Sequence, residues 1–401
     1  ARAPCLCRHG GGRRCGKERL FGRRHGYVGV TDRNIDLFEG QYQVPQGMLY
    51  NSYIIMDEKT AVTDTVDAKF VSEWLENIEK LLQGRAPDYL IVHHMEPDHS
   101  AGIDRFLTAY PAAKVVAGAK AFAMMRQFFG NEYADRRVVV GEGDTLKLGR
   151  HTLRFIAAPM VHWPEVMVSF EETEGILFSA DAFGKFGAQK ETSDWTEEAR
   201  RYYIGIVGKY GAQATALLKK AAGLKINMIC PLHGPVLREN LAQYMALYQT
   251  WASYTPEQSG VVIAYTSVYG NTRAAALLLS HKLELLEQKV VCFDLARCDM
   301  PQAVAAAFQY DRLVLASPTY NADIFPPMRT FITALCERNF QNRTVALIEN
   351  GSWAPCAAKV MRGMMEKCKS LTIMEGDVRI LSRPNVKDEA ALTALAERLC
   401  C

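Results

Sequence analysis

The sequence predicts an α/β protein with two domains, on three observations. Residues 27–255 mix short apolar strands with amphipathic helices, whereas residues 259–401 alternate strand and helix strictly. Between them lies YTPEQSG, whose proline, glycine and polar residues are typical of a linker. We therefore place one domain over residues 26–256 and the other over 257–401. A chain of 401 residues is long enough for each domain to bury its own core.

The first domain is expected to be a layered arrangement of strands and helices. A strand pair is predicted in YNSYIIMDEKTAVTDTV, an amphipathic helix in VSEWLENIEKLL and a buried strand in DYLIVHH. Further short strands are expected over residues 137–180. Helices are predicted in WTEEARRYYIGIVGKYG, ATALLKKAAG and LRENLAQYMALYQTWASY, with a buried strand in INMIC before the last of them.

The second domain is expected to contain a parallel sheet. Strands are predicted in GVVIAY, VVCFDL, DRLVLAS and TVALIE, each followed by a helix, and the first of these helices begins at Asn271. A further helical stretch ends the chain. Apolar strands separated by single helices predict a sheet covered on both faces, with ligands at the carboxyl ends of the strands.

Charge is distributed unevenly along the chain, whose formal net charge is +3. Residues 1–25 hold eight Lys or Arg and one acid, a local charge of +7, so the remainder carries 39 minus 43, or −4. A slightly acidic body argues against a nucleic-acid partner, which requires basic residues on the folded surface. We interpret residues 1–25 as a disordered basic extension or a gene-model artefact. A transit peptide is disfavoured because the stretch has no serine and no amphipathic pattern.

Apolar residues make up 49% of the chain, yet no run of eighteen occurs and no apolar signal-peptide core lies near the start. We therefore expect a soluble, cytoplasmic protein that does not bind membranes. The eleven cysteines include no C-x-x-C pair, which excludes the usual zinc-ribbon and rubredoxin spacing. Scattered thiols of this kind fit a reducing compartment.

A candidate metal site follows the predicted strand DYLIVHH. The next residues complete the pattern H-x-E-x-D-H, so four ligand types lie within six positions on a loop that a buried strand anchors. Three more ligand types each follow an apolar strand further along the chain. The seven candidates are His94, Glu96, Asp98, His99, His162, Asp181 and His233. His93 is expected to pack nearby or support a ligand instead of binding metal.

This pattern resembles the metallo-β-lactamase superfamily over residues 27–255. In the hydrolases of that superfamily the short motif is typically H-x-H-x-D-H, and Glu96 stands here in place of the second histidine. A hard carboxylate among imidazoles suits iron better than zinc.

A candidate phosphate site follows the strand GVVIAY. Small hydroxyl side chains and free backbone N–H groups at a helix start can cradle a phosphate. The loop lacks the G-x-x-x-x-G-K-[ST] pattern, which argues against a nucleoside triphosphate. Two later strands lead into SPTYNADIFPP and ENGSWAP, whose aromatic rings could form walls for a flavin. The candidate residues are Thr266, Ser267, Tyr269, Gly270, Asn271, Thr272, Pro318, Thr319, Tyr320, Asn321, Asn350, Gly351, Ser352 and Trp353.

These three loops, over residues 259–401, resemble flavodoxin and its FMN site, although Tyr269 before Gly270 departs from the commonest flavodoxin loop. H-x-E-x-D-H joined to a flavodoxin-like domain is similar to the flavodiiron, or A-type flavoprotein, family. The resemblance implies an N-terminal αββα sandwich, a flavodoxin-like sheet domain, FMN and a di-iron centre. By the same resemblance His94, Glu96 and His162 hold one iron, Asp98, His99 and His233 hold the other, and Asp181 bridges them.

The family resemblance also implies an activity and partners. The activity is reduction of dioxygen to water, of nitric oxide to nitrous oxide, or both, with electrons relayed through FMN. Electrons in the family come from rubredoxin, here expected to be a separate protein. The expected assembly is a homo-oligomer, either a head-to-tail dimer or a dimer of dimers.

Two other functions remain open at this point. One is a binuclear zinc hydrolase of the metallo-β-lactamase superfamily fused to a flavodoxin module, against which Glu96 argues. The other is an electron-transfer flavoprotein whose first domain is an inactive scaffold, against which the complete set of seven ligand types argues.

Overall fold

The structure is a computed structural model that describes residues 24–189, 192–193 and 195–400. Its backbone forms two compact units. Among the described residues, the first unit contains those up to Asp36, together with those of Val44–Thr192 and Leu224–Glu239. The second contains Leu37–Gln43, Ser193–Gly223 and Asn240–Cys401. The domain boundary near Pro256 stays a prediction.

The strands of the described chain contain from 2 to 11 residues. They are β1 His25–Tyr27, β2 Val30–Asp32, β3 Leu37–Phe38, β4 Tyr42–Gln43, β5 Met48–Tyr50, β6 Tyr53–Met56, β7 Thr60–Thr63, β8 Tyr89–Ile91, β9 Lys114–Ala117, β10 Arg137–Val139, β11 Thr145–Lys147, β12 Thr152–Ala157, β13 Met167–Glu171, β14 Ile176–Phe178, β15 Met228–Cys230, β16 Gln258–Tyr265, β17 Val290–Asp294, β18 Tyr310–Tyr320, β19 Asp323–Ile324, β20 Thr344–Asn350, β21 Thr372–Ile373 and β22 Val378–Ile380.

The α-helices are α1 Val71–Leu82, α2 Pro97–Ser100, α3 Ile103–Ala109, α4 Ala119–Phe129, α5 Trp195–Tyr202, α6 Gly211–Ala221, α7 Leu241–Ala252, α8 Asn271–Leu285, α9 Met300–Gln309, α10 Pro326–Glu337, α11 Ala357–Met365 and α12 Val386–Cys400. A π-helical turn, Tyr203–Val207, follows α5, and 3₁₀ turns occupy Ala68–Phe70 and Gly208–Tyr210.

Two sheets form the core of the first unit. One has the strand order β1-β6-β7-β8-β9-β10 and the other the order β11-β12-β13-β14-β15. Apolar side chains of both sheets, such as Ile55 and Val116 from one and Phe155 and Phe178 from the other, belong to a single buried cluster. The two sheets therefore pack face to face, as expected for a sandwich.

Local sequence explains the elements that carry this core. Apolar residues of α1 recur at a helical spacing and are buried, and the helix ends where Gln83 adopts a left-handed backbone. Strands β6 and β7 pair antiparallel and form the strand pair that the sequence predicts. Strand β8 is largely buried and lies between β7 and β9 in its sheet. The end of the strand and the motif that follows it therefore lie in the interior.

The second unit contains a mainly parallel sheet with the order β17-β16-β18-β20-β21, in which β22 also pairs parallel with β20. Counted along this unit, the order is 2-1-3-4-5, the doubly wound order of flavodoxin-like folds. A buried apolar cluster joins sheet residues such as Ile263 and Ile348 with residues of α8 and α12 such as Leu279 and Leu392. The predicted α/β fold class is confirmed.

Several elements differ from the sequence analysis. The fifth position of the parallel sheet is filled by β21 and β22, which were not predicted. Both are very short, and Gly376, with a positive φ of 76°, lies between them, so no apolar run marks them as strands. His25, assigned to the basic extension, lies in β1 and is buried. Residues 1–23 of that extension lie outside the described residues.

Within the part of the chain that the structure describes, every helix is too short or too polar to cross a lipid bilayer.

Candidate functional site

The seven predicted metal ligands lie together in the first unit, each on a segment that follows a strand. The H-x-E-x-D-H motif follows β8, and Pro97 begins the short helix α2, which carries two of the four ligand types in its first turn. The other three candidates follow β12, β14 and β15, whose carboxyl ends lie at one edge of the second sheet. The sheet arrangement therefore collects ligands that are far apart in sequence.

One group of ligands contains His94, Glu96, His162 and Asp181. The Nε2 atom of His162 lies 3.0 Å from Glu96 Oε2 and 3.2 Å from Asp181 Oδ2. The Nε2 atom of His94 lies 3.2 Å from Glu96 Oε2 and 3.4 Å from Asp181 Oδ2. Metal bonds of about 2.1 Å place neighbouring ligands roughly 3.0 to 3.4 Å apart in octahedral or tetrahedral coordination. The group therefore has the spacing of a metal shell.

A second group contains Asp98, His99 and His233. The Nε2 atoms of its two histidines are 3.0 Å apart, and each lies 3.3 Å from Asp98 Oδ2. Asp181 Oδ1 lies 3.3 Å from His99 Nε2, whereas Asp181 Oδ2 faces the first group. One carboxylate thus presents one oxygen to each group, which is the geometry of a bridging ligand.

Burial of carboxylates favours a cation at this position. His94, His99 and Asp181 are fully buried, and neither oxygen of Asp98 or Asp181 makes a hydrogen bond with a described residue. A buried carboxylate without hydrogen bonds or a positive charge is strongly unfavourable. Two metal ions would supply that charge, and a mixture of imidazoles and carboxylates is a donor set that suits iron.

Outer hydrogen bonds orient two of the imidazoles. His233 Nδ1 donates to the Leu49 carbonyl at 2.7 Å, so its Nε2 is directed at the site. Glu165 Oε1 lies 2.8 Å from His94 Nδ1 and accepts the Met95 N–H at 2.9 Å. Burial opposes ionisation of Glu165, but the hydrogen bond from His94 outweighs it and lowers the pKa of this carboxyl. The sequence analysis missed Glu165, although it lies three residues after His162.

Replacing Glu165 with glutamine is expected to weaken metal binding by roughly 10- to 100-fold, because a neutral amide holds the His94 ring less firmly. Iron affinity measured by anaerobic titration of metal-free protein checks this result. Glu172→Gln is the matched control, since Glu172 is exposed and forms a surface ion pair with Arg154. Equal iron affinities for the two variants would contradict the orienting role of Glu165.

The ligand imidazoles should release protons when metal binds. Burial opposes the positive charge of His162, but the carboxylates of Asp181 and Glu96 beside the ring outweigh it and raise its pKa to about 9. The pKa values of His94 and His99 are also raised against burial, chiefly by the Glu165 hydrogen bond and by Asp98 respectively. A metal ion binds only the neutral ring, so below about pH 9 the His162 ring must first lose its proton, and the raised pKa values of His94 and His99 require the same of their rings.

Iron affinity is therefore expected to rise with pH up to about 9, by about tenfold per pH unit for each proton displaced. Calorimetric titration at one pH in buffers of different ionisation enthalpy counts the released protons. The exposed His281 provides a control, since His281→Ala should leave that count unchanged. An affinity that is constant between neutral pH and pH 9 would show that the rings bind metal without losing protons.

The remaining residues near the motif have packing roles. His93 lies 2.6 Å from Asp64 Oδ2 through Nδ1 and 2.8 Å from Ser169 Oγ through Nε2, so both ring nitrogens are used away from the two ligand groups. This arrangement agrees with its predicted supporting role. The Trp163 ring packs edge-on against the His94 ring, with centroids 5.2 Å apart, and shields that ligand.

A candidate phosphate-binding loop lies in the second unit, between β16 and α8. Helix α8 begins after Gly270, which has a positive φ of 93°, and no side chain among the described residues caps its first turn. Ser267 Oγ accepts the Gly270 N–H at 3.0 Å and shapes the turn. The start of the helix therefore presents backbone N–H groups and the positive end of its dipole to an anion.

The two other predicted loops lie at the same edge, although Pro318, Thr319 and Tyr320 still belong to the end of β18 and Asn350 ends β20. Tyr265 of β16 is in register with Ala316 of β18, and Pro318 of β18 with Asn350 of β20. Because these strands are parallel, the three loops emerge side by side at their carboxyl ends. This edge includes the position between β16 and β18 where the strand order reverses, at which ligands bind in such folds.

Exposed aromatic rings mark this edge. Tyr269 is 94% exposed, Trp353 81% and Tyr320 43%, and the Tyr320 ring packs edge-on against Phe325. Large exposed rings on three adjacent loops are unusual for a surface without a ligand. Their placement matches the walls that a flat aromatic cofactor requires.

Some of the predicted loop residues hold the loops together. Thr319 Oγ1 accepts the N–H groups of Cys356 and Ala357 at 2.9 and 3.2 Å, which ties the second loop to the third. The Asn350 side chain exchanges two hydrogen bonds with the Ser382 backbone. Ser382 itself was not predicted, since the chain reaches it only through the short strand β22.

Several known proteins are similar to this chain. Residues 48–234 match the model of the ODP family beta lactamase. The anaerobic nitric oxide reductase flavorubredoxin of Salmonella arizonae is 28% identical over 82% of this chain and 71% of its own length. The rubredoxin oxygen:oxidoreductase of Desulfovibrio gigas superposes with a TM-score of 0.88 at 26% identity, over 95% of this chain and 97% of that one. The flavodiiron protein of Giardia intestinalis, at 24% identity, has the same fold, with a TM-score of 0.89 over 95% and 96% of the two chains.

Proposed function

We propose that the chain is a member of the flavodiiron protein family and an oxidoreductase that reduces dioxygen to water, nitric oxide to nitrous oxide, or both. Its relatives include one named for nitric oxide reduction and one named as a rubredoxin oxygen:oxidoreductase. When bound, a pair of irons supplies the site at which a diatomic gas is reduced, and FMN supplies electrons one or two at a time.

The position of Asp181 is the observation that carries this proposal. Its two oxygens face two separate ligand groups, which supports a centre of two metals held at a short distance. In the proposal His94, Glu96 and His162 bind one iron, Asp98, His99 and His233 the other, and Asp181 bridges them. Glu96 argues against the binuclear zinc hydrolase, because a carboxylate at this position shifts the donor set towards hard ligands.

The protein contributes geometry and a dry environment to this chemistry. Glu165 and the Leu49 carbonyl hold two imidazoles in place, so the ligands do not reorganise when the metals change charge. His94 and Asp181 are fully buried, and the Trp163 ring covers one side of His94. A buried site of this kind limits the access of water to the bound gas.

We propose that FMN binds at the carboxyl ends of β16, β18 and β20. The loop Thr266, Ser267, Tyr269, Gly270, Asn271 and Thr272 would hold the phosphate, supported by the uncapped start of α8. The isoalloxazine ring would lie between the loops that carry Tyr320 and Trp353. Pro318, Thr319, Asn321, Asn350, Gly351 and Ser352 would line the same space.

Metal and flavin analysis followed by rapid kinetics tests the function. Protein purified without oxygen is expected to contain two irons and one FMN per chain. The reduced protein is then mixed with nitric oxide and, separately, with dioxygen in a stopped-flow instrument, and flavin absorbance is followed. Rapid reoxidation by either gas supports the proposal and ranks the substrates. Zinc in place of iron, or flavin that neither gas reoxidises, would favour the hydrolase.

We further propose that a separate rubredoxin-like protein donates the electrons, supported by the name of the Desulfovibrio gigas relative. The proposed location is the cytoplasm, supported by seven described cysteines that are all thiols.

The proposed assembly is a head-to-tail homodimer, alone or as a dimer of dimers, in which FMN of one subunit serves the irons of the other. Co-expression of a chain that lacks the metal centre with a chain that lacks FMN tests it. Random pairing should restore about a quarter of the activity, because half of the dimers contain one complete pair of sites. If the mixed dimers were inactive, FMN would serve the irons of its own chain.

A further inference from the structure

A second cluster of potential metal ligands lies in the first unit, at the far end of the second sheet from the candidate centre. It contains His25, His151 and Glu171, whose ligand atoms all lie within 4.8 Å of one another. His151 precedes β12, whereas the predicted ligand His162 follows it, and Glu171 ends the antiparallel strand β13. The cluster is therefore separate from the proposed iron site.

A fourth carboxylate faces this cluster. Glu174 Oε2 lies 3.4 Å from His25 Nδ1, and Glu174 Oε1 lies 3.6 Å from His151 Nε2. Ligands bonded to a tetrahedral ion at about 2.1 Å stand roughly 3.4 Å apart. The spacing thus fits a single ion held by four side chains, and Glu174, which is 28% exposed, provides the entry path.

Asp57 fixes the orientation and tautomer of His151. Its Oδ2 accepts the His151 backbone N–H at 2.7 Å and lies 2.6 Å from His151 Nδ1, and its Oδ1 accepts a hydrogen bond from Arg24 at 2.7 Å. The carboxylate therefore holds the proton on Nδ1 and leaves the lone pair on Nε2. Carboxylate–histidine pairs of this type orient imidazole ligands in metal sites.

The free lone pair of His151 faces negative charge in a buried space. The His151 side chain is 1% exposed, and its Nε2 makes no hydrogen bond with a described residue. Glu171 is fully buried and accepts N–H groups from Thr173 and Glu174 at 2.8 and 2.7 Å, which orient its carboxylate. A buried lone pair beside two carboxylates is unfavourable unless a cation lies between them.

We propose that His25, His151, Glu171 and Glu174 bind one divalent transition-metal ion, of which zinc fits best, at a site distinct from the di-iron centre. Zinc accepts histidine nitrogens and carboxylate oxygens as ligands, and it favours four protein ligands in a closed, tetrahedral arrangement. The ion would connect β1 to the turns before β12 and after β13, so it would stabilise the first strand of the chain against the second sheet.

Zinc titration of the iron-loaded, FMN-containing full chain tests this proposal. The wild type is expected to bind one zinc ion beyond its irons and to unfold at a higher temperature when zinc is present. Zinc-edge X-ray absorption separates the two sites, because an ion in this cluster has nitrogen and oxygen neighbours and no nearby metal.

Two variants keep the test independent of folding defects. His151→Gln should remove the additional zinc, and Glu174→Gln, at a partly exposed position, should lower zinc affinity by at least about tenfold. Both should retain iron content and gas reduction. Glu58→Gln, which changes a nearby exposed carboxylate, is the control and should bind zinc as the wild type does. Equal zinc stoichiometry and affinity in all four proteins, or a zinc spectrum with a neighbouring metal, would overturn the proposal.

Discussion

Asp181→Asn is expected to lower gas reduction by more than about 100-fold while FMN remains bound. The loss should exceed the roughly 10- to 100-fold effect of removing an outer hydrogen bond, because this residue faces both ligand groups directly. An asparagine retains the shape of the side chain but offers one neutral oxygen and an amide nitrogen that does not bind metal. Iron content by elemental analysis and flavin reoxidation by stopped flow measure the two consequences.

The control for this variant is Glu73→Gln, which removes an exposed carboxylate from α1 in the same unit. It should leave iron content and activity unchanged. If Asp181→Asn retained two irons and near wild-type turnover, the bridging role would be wrong, and the two ligand groups would have to act as separate sites.

Ser267→Asp is expected to lower FMN affinity by about 100-fold or more. The aspartate can still accept the Gly270 N–H that Ser267 accepts, so the turn is retained while a carboxylate enters the phosphate cradle. Two like charges at about 4 Å repel by about 4 kcal/mol at an intermediate dielectric constant. Flavin fluorescence during titration of the FMN-free protein measures the affinity.

Ser267→Asn is the matched control, because it has the same shape and hydrogen-bonding ability without the charge. Its FMN affinity should stay within about tenfold of the wild type. An equal loss in both variants would mean that the side chain's size, and not its charge, disturbs the site. If neither variant lost FMN affinity, the phosphate would bind elsewhere than at the start of α8.

Much of the fold followed from local patterns. The helix α1 and the strand β8 were predictable because burial of one face imposes a spacing on consecutive residues. The parallel sheet of the second unit followed from the same reasoning applied to strands and helices in turn. Strands β21 and β22 were missed because two or three residues are too few to show an alternation of apolar and polar side chains. They are identified as strands only by their pairing with β20.

The residues of the candidate metal site could be predicted from the sequence, but their spatial arrangement could not. Four ligand types lie within six residues, and three more follow apolar strands, so residue type and position identified all seven candidates. The distances that divide them into two groups depend on which strands are neighbours in the second sheet. Glu165 shows the same limit, since an ordinary carboxylate becomes an orienting group only when β8 and the loop after β12 meet.

The sequence by itself determined the element types, the two-part organisation and the chemical character of both candidate sites, because these depend on residue identity and short-range spacing. Only the tertiary structure decided that Asp181 faces both ligand groups, that three aromatic loops emerge side by side, and that His25 meets His151 and Glu171. Each of these contacts joins residues far apart in the chain. Their proximity results from strand order and core packing, which no local pattern encodes.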